Sequence, residues 1–265
     1  MKKYFIKSFL ILILIVLGIF AKYYFEEINF SKLNFVHRFV LDRVLNEWEN
    51  EMSFLPSHER GIVEYASLMN LLGTLECSFV ERIFEINPVD LGFKGKFFTL
   101  EKPENLLRIE SVTLNRKGEG YETGISYLPS HVNNDYELMM IEMEKQIGKK
   151  LFIDSGYRSA GRQAYLFLFY LAKSNDYSLR ENAKIIAMPG YSEHGSPNTT
   201  AIDFINANGI NGYNDSQIAE DFEILEEYKW LTENGYKYNF YLSYPRENRF
   251  GVSFEPWHWH WEIKK

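Results

Sequence analysis

Two stretches of the chain gather the residue types that hydrolytic metal chemistry requires. "PGYSEHGSPNTTAIDF", from Pro189 to Phe204, sets His194 and Asp203 on either side of the turn-rich "GSPNTT". "VSFEPWHWHW", from Val252 to Trp261, brings a carboxylate, Glu255, close to two imidazoles, His258 and His260. A hydrolytic zinc site needs about three ligands from His, Asp or Glu, plus an open position for water. The metal lowers the pKa of that water toward ~7, so a nearby carboxylate can take its proton at neutral pH. Cys77 is the single cysteine, which excludes thiolate zinc sites and any disulfide within the chain. His194, Asp203 and one of the C-terminal histidines form a neutral-imidazole and carboxylate set suited to zinc. Glu255 is then the natural base.

These side chains need elements to hold them. Alternation in "WHWHW" predicts a strand, with Trp257, Trp259 and Trp261 facing one way and His258 and His260 the other. Pro256 suits the start or edge of that strand, and a bend there would bring Glu255 onto the histidine side. Upstream, "LFID" from Leu151 reads as a short strand, "SGYRS" as a turn and "AGRQAYLFLFYLAK" as a helix. Ser159 is its expected N-cap, and Gln163, Leu166, Phe167, Tyr170 and Leu171 share its apolar face. This unit holds Arg158 and Gln163 at the start of a buried helix. Before it, Met139, Met140, Met143 and Ile147 mark a core helix. Trp230 belongs to the core, while Trp257 and Trp259 are packing residues placed to wall a cleft. His37, His58 and His131 carry no such company and read as ordinary.

"SGYRSAGRQ", "PGYSEHGSPNTTAIDF", "WLTENGYKYNFYLSYP" and "FEPWHWHW" resemble, in this order, the motifs of the VanY-type zinc D-Ala-D-Ala carboxypeptidases. That family belongs to the group of peptidoglycan metallopeptidases sharing a fold with lysostaphin and the hedgehog signalling domain. The resemblance spans roughly Tyr127 to Glu262. It implies an α+β fold, in which a small antiparallel sheet carrying the zinc site is flanked by helices. It also implies zinc held by His194, Asp203 and His258, with Glu255 as general base. Arg158 and Gln163, with help from Ser192, would bind the substrate's terminal region or polarise the scissile carbonyl. The chain departs from the pattern at several points. The loop from His194 to Asp203 is longer by about two residues, with Thr199 where Gly is expected. Asn239 replaces a Gly, and Ser243 and His260 stand where arginines are usual. None of these removes an implied ligand or the base; they bear on substrate preference.

The rest of the chain sets the context. Lys2, Lys3 and Lys7 precede an apolar run from Phe9 to Ala21, then Lys22, Tyr23, Tyr24 and Phe25. This predicts an uncleaved N-terminal membrane anchor over residues 1–25, with the lysines cytoplasmic and the remainder exported. A net charge of −7 argues against nucleic acid as a partner. Residues 26–126 form an extension, helical from Phe30 to about Phe84, with Phe35, Phe39, Leu41, Leu45 and Trp48 on one stripe. Short strands and turns occupy Asn87 to Ser126, including "GKFFTL". Residues 127–265 are the peptidase domain. The expected function is zinc-dependent removal of the terminal D-Ala from peptidoglycan stem peptides outside the cytoplasm. The alternatives are an L,D-carboxypeptidase or endopeptidase on the same fold, and a cell-wall-binding protein without hydrolysis.

Overall fold

The computed structural model describes every residue except 1, 57, 175, 215 and 265, and side chains from Ile6 onward. The side chains of Lys2 and Lys3 therefore lie outside the described residues. Helix α1 (Lys2–Tyr24) contains a segment, Ile6–Tyr24, long and apolar enough to cross a membrane. Its last turn is bonded to the helical segments beyond it. The Tyr24 carbonyl accepts from Arg82 Nη1 at 2.6 Å and lies 3.0 Å from His37 Nε2, while Asn34 Nδ2 donates to the Tyr23 carbonyl at 2.8 Å. Cationic and amide donors here satisfy carbonyls that a helix C-terminus leaves without partners.

Helices α2 (Phe35–Phe54), α3 (Tyr65–Met69) and α4 (Thr74–Phe84) make the predicted helical part. The stripe on α2 that enters the core is Val36, Val40, Leu41, Val44, Leu45, Trp48 and Met52. Phe35 and Phe39, expected on that face, are 57% and 55% exposed. Apolar residues cover more of α2 than one stripe, and these two rings turn toward Tyr23 and Phe20 of α1 instead. Strands β1 (Leu106–Ile109) and β4 (Ser126–Pro129) pair antiparallel, as do β2 (Thr113–Arg116) and β3 (Glu119–Glu122). "GKFFTL" forms no strand. It runs along the molecule as a strap, with the Phe98 N–H donating to the Gly190 carbonyl at 2.8 Å.

Helix α5 (Ser130–Ile147) and strand β5 (Leu151–Ser155) lead to α6 (Ala160–Lys173) and the short α7 (Leu179–Asn182). Strand β6 (Ala201–Asn206), helices α8 (Ala219–Glu223) and α9 (Glu226–Asn234), and strands β7 (Phe240–Leu242) and β8 (His258–Trp261) complete the chain. The four long-range strands form one antiparallel sheet, ordered β5-β6-β8-β7. Ile202, Phe204, Trp259 and Trp261 are buried together with Met139, Met140 and Met143 of α5. Strand alternation turns Asp203 and His258 to the opposite face, where they are direct cross-strand partners. This is the predicted α+β arrangement of a small antiparallel sheet flanked by helices.

Helix α6 joins the two parts. Ser159 caps it, accepting from the Arg162 N–H. Its Ala164, Phe167, Leu168 and Leu171 share one core with Val44, Trp48, Leu68, Phe79 and Ile83 of the extension. Leu166 and Tyr170, assigned to the same face from sequence, lie instead along an open cleft. The core takes the stripe centred on Phe167 and Leu171, which leaves these two on the flank. At its N-terminus α6 meets the extension's backbone: the Ser159 hydroxyl donates to the Val63 carbonyl at 2.5 Å. A Cβ on Gly161 would sit 2.3 Å from that same oxygen, so only glycine permits this approach.

Candidate active site

His194 lies in a single tight turn, Glu193–Gly195, that leads toward β6. Its ring is 1% exposed. Nδ1 is 2.8 Å from the Gly156 carbonyl, which can only accept, so Nδ1 carries the proton and Nε2 of the neutral ring is a bare lone pair. Nε2 lies 3.2 Å from Asp203 Oδ2 yet has no hydrogen-bond partner. Burial, with the Arg158 charge beside it, lowers the ring's pKa to about 4. A lone pair facing a carboxylate in a buried setting is repulsive unless a cation lies between them.

His258 poses the same problem from the other side. Nδ1 is 2.8 Å from Asp203 Oδ1, and Nε2 is 3.0 Å from Glu193 Oε2. A neutral imidazole has one N–H and can donate to only one of them. Burial opposes a proton on this ring, but the two carboxylates outweigh it and push the pKa up to about 10. Burial also opposes the charge of Asp203, and its bond with the His258 ring holds its carboxyl far below the usual range. One donor atom each from His194, Asp203 and His258 lies within 4.8 Å of the others, and all three residues are buried. The donor set thus fits a divalent cation, with two imidazoles and one carboxylate as the residues able to hold it.

Glu255 precedes β8, and the bend at Pro256 places it where the sequence pattern suggests. Its Oε2 is 3.8 Å from His258 Nδ1. Burial raises its pKa to about 7, which suits a group that must take and return a proton near neutrality. Arg158 Nη2 lies 3.6 Å from Asp203 Oδ2, and its buried Nε has no hydrogen-bond partner. Gln163 Nε2 donates to the Ala187 carbonyl at 2.7 Å, while its Oε1 is buried without a partner. Gln163 and Ser192 line a small cavity of about 40 Å³ with Arg158, Tyr244, Glu255 and His258. All seven residues singled out from sequence therefore converge on one region.

His260 does not join the cluster. Its Nδ1 lies 2.8 Å from Ser243 Oγ and 4.0 Å from Glu193 Oε1. The two positions that depart from the family's usual arginines thus hydrogen-bond to each other. The long loop before β6 is organised by Ser196, whose hydroxyl meets Thr199 Oγ1 at 2.7 Å and accepts from the Thr199 N–H. Thr199 has no positive φ, so no glycine is required there. Asn239 does adopt φ 64°, a conformation that Asn tolerates better than most residues.

Sequence reasoning missed Glu193. The hydrogen bond from His258 holds its carboxyl below the ordinary range despite burial; its only sequence signal is its place beside His194. Of the larger cleft, about 560 Å³, which opens from Asp203 and Glu255, sequence reasoning anticipated Trp257 as a wall but missed Tyr213. Trp257 and Tyr213 form one wall, their rings 5.0 Å apart. Trp259, expected to help wall the cleft, is buried in the sheet core instead, while Trp257, in the turn before β8, packs against that core and still reaches the cleft.

The family described as VanY, D-alanyl-D-alanine carboxypeptidase, matches residues 125–264. A D-alanyl-D-alanine carboxypeptidase of Enterococcus faecalis is 34% identical over 115 residues, covering 40% of this chain and 38% of the relative. One from Enterococcus faecium is 28% identical over 135 residues, covering 50% and 36%. The chain spans between 36 and 43% of the length of the curated relatives it matches. A solved structure of a mutant vancomycin-resistance D,D-pentapeptidase VanY, from a VanB-type cassette in complex with Zn(II), is 23% identical with a TM-score of 0.42. It covers 63% of this chain and 83% of that one.

Proposed function

The chain belongs to the VanY family of D-alanyl-D-alanine carboxypeptidases, and from that membership we propose that it is a zinc peptidase removing the terminal D-Ala from peptidoglycan stem peptides outside the cytoplasm. The observation that carries this reading is the bare Nε2 of His194 facing Asp203, with Glu255 and Arg158 beside it. In this reading His194, Asp203 and His258 hold the zinc. The ion would supply Lewis acidity and make a water acidic enough to be deprotonated near neutrality. Glu255 takes the proton from the attacking water and returns it to the departing amine of the D-Ala. Arg158 donates to the scissile carbonyl oxygen as negative charge develops there. Gln163 and Ser192 bind the departing residue's terminal region at the small cavity they line.

The proposed organisation is an anchor over residues 1–25, an extension over 26–126 and a peptidase domain over 127–265. Lys2, Lys3 and Lys7 place the N-terminus in the cytoplasm and the cleft outside. That the last turn of α1 is held by Arg82 and Asn34 supports an anchor retained in the working protein.

The test is mass spectrometry of a pentapeptide stem incubated with the full chain in detergent, with and without a zinc chelator. The expected result is loss of one D-Ala, stopped by the chelator and restored by zinc. Cleavage of a tetrapeptide stem in place of the pentapeptide would move the reading to the L,D bond. Zinc binding with no cleavage of either would move it to a binding protein.

A further inference from the structure

The larger cleft carries more positive charge than the proposed reaction uses. The chain as a whole is acidic, with 36 Asp and Glu against 29 Lys and Arg. Yet Arg60, Arg158 and Arg162 all line this one cleft. Arg158 is engaged by Asp203. Arg162 follows on the first turn of α6, just past the extended N-cap Ser159, and lines the same cleft. Among the described residues its guanidinium makes no ion pair or hydrogen bond, and only the Tyr165 ring approaches it, at 5.3 Å. Arg60 comes from the extension. Its Nε and Nη2 are directed to the carbonyls of Leu55 and Ser53 at 3.2 and 3.5 Å. The contacts of Gly61 and Val63 with Ser159 hold this segment in place. Burial and repulsion from Arg158 and Arg60 lower the proton affinity of Arg162, and an anion in the cleft would relieve both. Three carboxylates line the same cleft, but Asp154 is bonded to Tyr121, Asn211 and Tyr213, and Asp203 and Glu255 belong to the site, so half-buried Arg162 is left to pair with a ligand.

We infer that Arg162, with Arg60 beside it, binds a carboxylate on the acyl side of the scissile bond, making the substrate class a stem peptide with a free acid upstream of its D-Ala-D-Ala end. This rests on the proposed function for the direction of the peptide. The small cavity takes the leaving residue, so the rest of the chain lies in the open cleft. Arg158 and Arg162 line this cleft together, and an extended peptide advances about 3.3 Å per residue. The first side chain upstream of the two D-alanines is the nearest that can carry an acid into the cleft. Guanidinium suits it because its planar fork matches a carboxylate.

The probes are two acetylated tripeptides ending in D-Ala-D-Ala. Their first residue is diaminopimelate with its side-chain carboxylate either free or amidated, a change that removes charge and little else. Binding is measured by calorimetry to the zinc-loaded full chain carrying Glu255→Gln, so that turnover does not intervene. The free acid should bind about tenfold more tightly, the size of one charge-assisted hydrogen bond. Adding Arg162→Gln should abolish the preference while leaving the amide's affinity unchanged. Arg60→Gln should reduce the preference, and Arg162→Lys should keep part of it, which guards against a Gln variant that fails to fold. Equal binding of the two peptides, no binding of either, or an equal loss for both on Arg162→Gln would overturn the inference. A protein that prefers the acid but, with Glu255 intact, releases no D-Ala from either peptide would sink the proposed reaction and leave the acid site standing.

Discussion

The sheet around Asp203 and the helical extension hold themselves together by opposite means. Near Asp203 the contacts are between ionisable groups: two imidazoles, two further carboxylates and a guanidinium crowd one buried carboxylate. Several atoms there, including His194 Nε2, Arg158 Nε and Gln163 Oε1, are buried without a partner. In the extension, Val44, Trp48, Leu68, Phe79 and Ile83 pack against Phe167 and Leu171, with the Trp48 Nε1 bond to the Leu68 carbonyl and the buried His37 ring beside Phe79 as polar exceptions. Unsatisfied buried atoms cost stability, while apolar packing supplies it. The molecule thus separates the region that is poised to react from the region that keeps it folded, and α6 belongs to both.

Four perturbations test that separation. The largest effect is expected at Glu255. Glu255→Gln should lower kcat by about 10²–10⁴, the usual contribution of a general acid-base group, with zinc content and melting temperature little changed. A large loss of stability would show that the site residues are structural as well. Phe167→Ala should do the reverse, destabilising the fold by about 3–5 kcal/mol in urea titrations while leaving zinc affinity of the still-folded protein near that of the parent. Gly161→Ala drives a methyl into the Val63 carbonyl. It should cost about 1–3 kcal/mol and displace Arg60 from the cleft, raising KM for acidic peptides more than it lowers kcat. An unchanged KM would mean that the extension's seat on α6 is irrelevant to the cleft.

The smallest effect concerns pH. His37 is fully buried with its pKa lowered from 6.5, chiefly by burial. Below pH 6.5 the unfolded chain takes up this proton before the folded one, so folding stability falls as the pH drops from there. Denaturation midpoints at pH 7 and 5.5 should therefore converge more closely in His37→Gln than in the parent. Parallel behaviour of the two proteins would show that the acid sensitivity lies elsewhere.

The sequence carried the site further than it carried the scaffold. His194, Asp203, Glu255 and His258 announce themselves because few residue types can do hydrolytic metal chemistry, and their spacing fits a turn and a strand. Glu193 was illegible because its role exists only once β8 brings the far ring of His258 over it. Phe35 and Phe39 were placed on the wrong side because hydrophobicity alone does not say which of two neighbours, α1 or the core, a ring will meet. The seat of the extension on α6 was hidden for another reason. It depends on backbone carbonyls meeting Ser159 and Gly161, and no side-chain type reports where a carbonyl will go.

The bound end of α1 has a consequence for reach. A flexible tether lets an attached enzyme sample a volume whose radius grows with the square root of the tether's length. Here the final carbonyls of α1 are gripped by Arg82, Asn34 and the His37 ring, so if α1 is the proposed anchor no slack would separate bilayer from cleft. On the proposed topology the cleft travels at constant height, turning and drifting only in the plane of the membrane. Its working space would then be a thin sheet parallel to the bilayer, and a substrate would have to enter that layer to be cut.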